Sequence, residues 1–165
     1  MSTRSAIARP RGDGWEGVYC HSDGYPTGVG QDIWKLVHEK FNGDGEAFLK
    51  EYLDKHPSGW SIFPDNCYCH HPDWAARADH KTRITVSSTE DKTDTPLHIE
   101  WVYIVAPGVM TILKSFPLPE PGKYAWCIVT QVEFSDVEPD WAAIEKLGED
   151  MCHNAWEKNR PSDAA

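Results

Sequence analysis

No stretch of this sequence approaches the roughly 18 consecutive apolar residues that a membrane-crossing helix requires, so no helical span and no membrane partner are expected. The start of the chain is also poor in apolar residues. Met1-Ser2-Thr3-Arg4-Ser5 leads only into Ala6-Ile7-Ala8 before charged side chains return. That is too short for the core of a secretory signal, and a cytoplasmic chain is expected. Five cysteines cannot all pair, and in a reducing compartment they are expected as thiols or metal thiolates. Basic side chains are scarce, with sixteen Lys plus Arg against 26 Asp plus Glu and a formal charge of −10. The deficit is uneven: residues 1–40 balance, whereas residues 116–165 hold four basic and ten acidic side chains. An acidic surface repels phosphate backbones, so direct nucleic-acid binding is not expected. No internal repeat and no shift of composition marks a domain boundary. The 165 residues are expected to fold as a single globular domain with flexible ends at 1–2 and 159–165.

Aromatic rings are plentiful. Eight Trp, six Tyr and five Phe supply core area in large pieces, each burying about 150–250 Å². Two short apolar segments, 3–8 and 15–20, flank the turn signal Arg11-Gly12-Asp13-Gly14 and predict a β-hairpin. Residues 23–30 are rich in Gly and Pro and are expected as loop. Ile33, Trp34, Leu36, Val37 and Phe41 recur at helical spacing, predicting a helix over 31–41 that Asn42-Gly43 ends. A second helix is predicted over 45–55, with Asp44 as N-cap. Residues 57–82 show no sustained period, apart from one helical turn at 74–78, and are expected to be irregular. Strands are predicted at 83–88, at 97–105 with a turn at Ala106-Pro107-Gly108, at 109–114 and at 124–134, with a polar, mobile stretch over 88–96. Pro139 opens a last helix whose Trp141, Ile144, Met151, Ala155 and Trp156 fall near one face. Strands in meanders rather than alternating with helices predict an α+β fold with a mainly antiparallel sheet, an N-terminal hairpin, two central helices and a C-terminal helix.

Two segments crowd the side chains that ligate metals or move protons: Tyr19-Cys20-His21-Ser22-Asp23-Gly24-Tyr25-Pro26-Thr27-Gly28-Val29-Gly30 and Cys67-Tyr68-Cys69-His70-His71. Cys67 and Cys69 lie two apart, so both thiolates face one way in extended backbone. With His70 beside them and Cys20 supplied by the first segment, they form a candidate zinc site that would hold an otherwise irregular loop. The plain alternative is two small buried thiols beside surface imidazoles. Gly28 and Gly30 precede a helix whose free N–H groups favour anions, and Arg4 and Ser5 on the adjacent strand add donors. Arg4, Ser5, Tyr19, His21, Asp23, Tyr25, Gly28 and Gly30 are therefore the candidate ligand-binding residues. The alternative there is a turn in which Gly supplies backbone freedom and Pro rigidity. His21 with Asp23 is a candidate acid/base pair, since a carboxylate can orient an imidazole, although spacing marks no nucleophile. His98 and Glu100 share a strand face and read as an ordinary sheet-edge pair.

Thr3-Arg4-Ser5, the Tyr19-Cys20-His21-x-Asp23-Gly24-Tyr25-Pro26-x-Gly28-x-Gly30 motif, Cys67-Tyr68-Cys69-His70 and Glu100-Trp101-Val102-Tyr103 together resemble a family of small phage and actinobacterial proteins. The likeness spans roughly residues 3–105. It implies a phage or prophage setting and no particular chemistry. The expected function is an accessory binding module that takes a host protein or a small anionic ligand through the 19–30 loop. A small hydrolase or transferase using His21 and Asp23 is one alternative. An acidic decoy for a DNA-handling protein is another.

Overall fold

The hairpin forms where the turn signal lies. β1 (Ser5–Arg11) pairs antiparallel with β2 (Gly14–Cys20), Arg11 stands opposite Gly14, and Gly12 turns the chain at φ 58°. A first turn residue with positive φ matches the twist of the strands, and glycine adopts it without a Cβ penalty. In this computed structural model, residues 2–70, 84–86 and 99–161 are described, with 84–86 as backbone. The expected helical turn at 74–78, the flanks of the strand expected at 83–88, the polar stretch 88–96, and His71, His80 and His98 lie outside them.

Residues 23–30 are not all loop. A π-type turn over Pro26–Gly30 runs directly into α1 (Gln31–Lys40). Proline suits the first helical turn because its missing N–H would have no intrahelical partner there, so the Pro and Gly content did not prevent helix. α1 buries Ile33, Trp34 and Val37. It ends where Asn42 and Gly43 adopt φ 55° and 86°, a conformation that cannot continue a right-handed helix. α2 (Gly45–Leu49) starts at Asp44, whose carboxylate accepts a hydrogen bond from the Ala47 amide at 3.2 Å. A π-type turn over Lys50–Asp54 extends it.

The chain then returns to the sheet. β3 (Trp60–Ile62) lies parallel to β2, and β4 (Asn66–Cys67) folds back on β3. These strands occupy part of the stretch expected to be irregular; at three and two residues they are too short to show a period. β5 (Ile84–Val86) pairs antiparallel with the Trp15–Gly17 end of β2. β6 (Trp101–Ala106) runs parallel to β1, and β7 (Val109–Pro117) and β8 (Tyr124–Glu133) complete an antiparallel meander. The order across the sheet is β4-β3-β2-β1-β6-β7-β8, with β5 also on β2. The fold is α+β as expected, but the sheet is mixed, because β1–β6 and β2–β3 are parallel.

α3 (Trp141–Asn159) is capped by the Asp140 carboxylate, which accepts from the Ala143 amide at 3.1 Å. Its Trp141, with half-buried Ile144 and Met151, joins the core beneath the helices. That core packs Ile33, Trp34, Val37, Phe48 and Leu49 against Ile7, Val18, Cys20, Trp60, Trp101, Tyr103 and Ile112 from one sheet face. The opposite face carries a second buried cluster that includes Ala6, Ala8, Trp15, Tyr19, Tyr68, Val102, Leu113 and Trp126. Arg9 ties β1 to the end of the α2 segment through a two-pronged contact with Asp54, both bonds 2.8 Å. Among the described residues, no helix is long and apolar enough to cross a membrane.

Candidate functional site

The first motif divides between the two faces of the sheet. Strand alternation puts Cys20 in the core beneath the helices and sends Tyr19 to the opposite cluster, with His21 on the same side as Tyr19. Cys20 is fully buried, and burial pushes its thiol well above the usual range. Ser5 stands opposite Cys20 in the sheet, and its buried hydroxyl lies against that thiol. Neither side chain is open to a ligand from solvent.

The glycines of the motif serve packing. Gly24 donates its amide to Thr3 O at 2.9 Å and accepts the buried Tyr103 hydroxyl at 2.6 Å. A Cβ on Gly28 would stand 2.1 Å from Asp23 O, and one on Gly30 would stand 2.9 Å from the Tyr103 ring. The Gly28 amide donates to Tyr25 O and the Val29 amide to Asp23 O, each at 2.9 Å. Those amides are engaged within the turn that leads into α1, the helix whose N–H groups are the ones expected to favour an anion. The acid/base pair is not assembled. His21 Nδ1 is hydrogen-bonded to Tyr19 Oη at 2.7 Å, while Asp23 accepts from the Tyr25 hydroxyl at 3.0 Å. Tyr19 itself is held neutral: burial raises its pKa to about 12, against the opposing pull of Arg4.

An open cleft of about 690 Å³ begins at His21. Arg4, His21, Glu100, Lys114, Ser115 and Tyr124 contribute to its lining. Strand pairing builds it: the Arg4 carbonyl accepts from the Glu100 amide at 2.9 Å, and the Glu100 carbonyl accepts from Ser115 N at 2.9 Å. Ser115 is further fixed by donating its hydroxyl to Ile99 O at 2.7 Å. The ammonium of Lys114 lies 4.8 Å from the centre of the Trp101 ring. Among the described lining residues, Arg4 and His21 share one sheet face with a single carboxylate, Glu100, while the Lys114 ammonium lies over Trp101 on the helix-bearing face. Arg4 and His21 were expected in a site from sequence. Lys114, Ser115 and Tyr124 were not, because the pairing that brings them there joins residues about a hundred positions apart.

A second cluster stands on the other side of the sheet. The ligand atoms of His56, Cys67 and Cys69 all lie within 4.8 Å of one another, and each residue is partly buried. Cys67 and Cys69 face one side while Tyr68, between them, is buried in the opposite cluster. Cys20 does not join the group. It shares a row with Cys67, but Trp60 stands between them, opposite Cys20 on β2 and opposite Cys67 on β4. Two strand spacings, about 9.6 Å, separate the backbones. His70 is exposed and also outside the group. The sequence reading missed His56, which precedes Pro57 at the edge of the irregular stretch and carries no motif of its own. The two clusters therefore do not converge on a single locale.

Compared with known proteins, the chain matches no family model, no curated protein and no solved structure. The geometry is what carries a functional reading.

Proposed function

We propose that this chain is a cytoplasmic accessory binding module of phage type that holds a small anionic ligand in the cleft at Arg4 and His21. The observation that carries the reading is the local balance of charge: Arg4 and His21 line a cleft in which Glu100 is the one acidic residue among the described lining residues, on a chain of net charge −10. Anions of several oxygens suit such a cleft because a guanidinium offers paired donors. The phage setting is supported by the motifs at Arg4, at 19–30 and at 67–70. The role proposed for 19–30 differs from a direct ligand loop: it anchors the strand end that presents His21.

Calorimetric titration with a panel of inorganic phosphate, citrate and a nucleoside monophosphate tests the reading. At least one member is expected to bind saturably and more weakly as salt rises. Arg4→Ala is expected to weaken that binding by about 10- to 100-fold, the worth of a charge-assisted hydrogen bond, with the melting temperature nearly unchanged. Absence of saturable binding across the panel, or equal binding by Arg4→Ala, overturns it.

A further inference from the structure

We infer that His56, Cys67 and Cys69 form a binding site for one zinc ion, with the fourth coordination position open to solvent. The donor set is the soft thiolate and imidazole combination that zinc prefers over oxygen-only cages. Tetrahedral zinc places its sulfur and nitrogen ligands about 3.3–3.8 Å apart, given bonds of about 2.0–2.3 Å. Ligand atoms that already lie within 4.8 Å of one another stand about 1–1.5 Å from that spacing.

Three further observations point to a ligand here. His56 Nδ1 is buried and has no hydrogen-bond partner, a rare state for a buried polar atom and one found on a ring of this cluster. The ring is held in place, packed against Trp60 with centroids 4.2 Å apart, and Trp60 is in turn anchored by its indole N–H to Tyr52 O at 3.1 Å. The amide and hydroxyl of Ser58 lie against the Cys69 sulfur, the kind of outer contact that steadies a metal-bound thiolate. The ligands come from two segments, the end of the α2 region and the β4 strand with its continuation. An ion there would clamp the β3–β4 hairpin, whose strands are only three and two residues long, onto the helical layer. All three ligands are partly exposed, which leaves room for water or an exchangeable group at the fourth position. The site is independent of the cleft and of the ligand proposed there.

The test uses the full chain, reduced and stripped with chelator, then titrated with Zn²⁺ or Co²⁺ alone. One equivalent is expected to bind, cobalt giving a sulfur-to-metal charge-transfer band and zinc raising the melting temperature. Cys67→Ser, Cys69→Ser and His56→Ala are each expected to weaken binding by more than about 100-fold, beyond the effect of losing an outer-shell partner. Cys127→Ser should bind like the parent. Should a ligand variant fail to fold, alkylation of the parent chain decides the matter: zinc is expected to shield Cys67 and Cys69 but not Cys127. Absence of stoichiometric binding, unchanged binding in folded ligand variants, or protection that falls on other cysteines overturns the site.

Discussion

At the scale of single residues, the 19–30 motif shows how a chemically suggestive pattern can arise from packing. Gly28 lies where the Asp23 carbonyl leaves no space, since an added Cβ would meet that oxygen at 2.1 Å. Backbone cannot swing aside as the end of a long side chain can, so the turn itself must shift. Overpacking of this kind costs about 1–3 kcal/mol. Gly28→Ala is therefore expected to lower the melting temperature by roughly 2–12 °C, at about 2–4 °C per kcal/mol for a chain of this size. Thermal unfolding followed by circular dichroism checks it. An unchanged melting temperature would return Gly28 to the list of ligand-facing residues. His21 is the residue of the same motif whose side chain reaches a cleft, and it does so through the strand end that Gly24 and Tyr103 pin in place.

Among the elements, the helices were the most legible. Their signals are local: an apolar stripe, an acidic cap and a stop that needs positive φ. Asp44 and Asp140 both accept from the amide three residues on, at 3.2 and 3.1 Å, and leave one donor unbonded in each helix if removed. Asp44→Ala and Asp140→Ala are each expected to cost about 1 kcal/mol in urea unfolding, and the double variant about 2, since the caps serve different helices and should add. The hairpin and the β6–β7–β8 meander were legible for the same reason, because their turns and alternation sit in adjacent sequence. The parallel pairs were not. β1 meets β6 across more than ninety residues, and no local pattern records which edge a strand will join. The site followed the same division. Cys67 and Cys69 face one side as period two requires, but their third partner, His56, depends on the turn between α2 and β3. The Pro26–Gly30 turn misled in the opposite sense, because residues that break a helix interior are tolerated in its first turn.

For the molecule as a whole, net charge is −10, and Asp32 shows how charge acts on stability. Burial raises the Asp32 pKa above its ordinary value, and the like charges of Asp65 and Asp23 add to that push against the opposing pull of Lys35. A carboxylate in the first turn of a helix is ordinarily favoured by the helix dipole, but that benefit fades after one turn. Here the helical backbone begins at Pro26, so Asp32 lies beyond the turn that would help it. With the folded pKa above the unfolded one, the native state holds the extra proton between the two values, and stability falls as pH rises through that window. The penalty is complete above the folded pKa and absent below the unfolded one, near 3.8. Asp32→Asn removes the charge at every pH. It is expected to raise the melting temperature at pH 7, with the gain shrinking as pH falls and vanishing below the unfolded value. Thermal unfolding of both proteins between pH 3 and 8 measures this difference directly. A gain that persisted unchanged at low pH would assign the effect to shape rather than charge. Added salt should reduce the part of the gain that comes from Asp65 and Asp23, because ions screen the repulsion between carboxylates but leave the burial of Asp32 untouched.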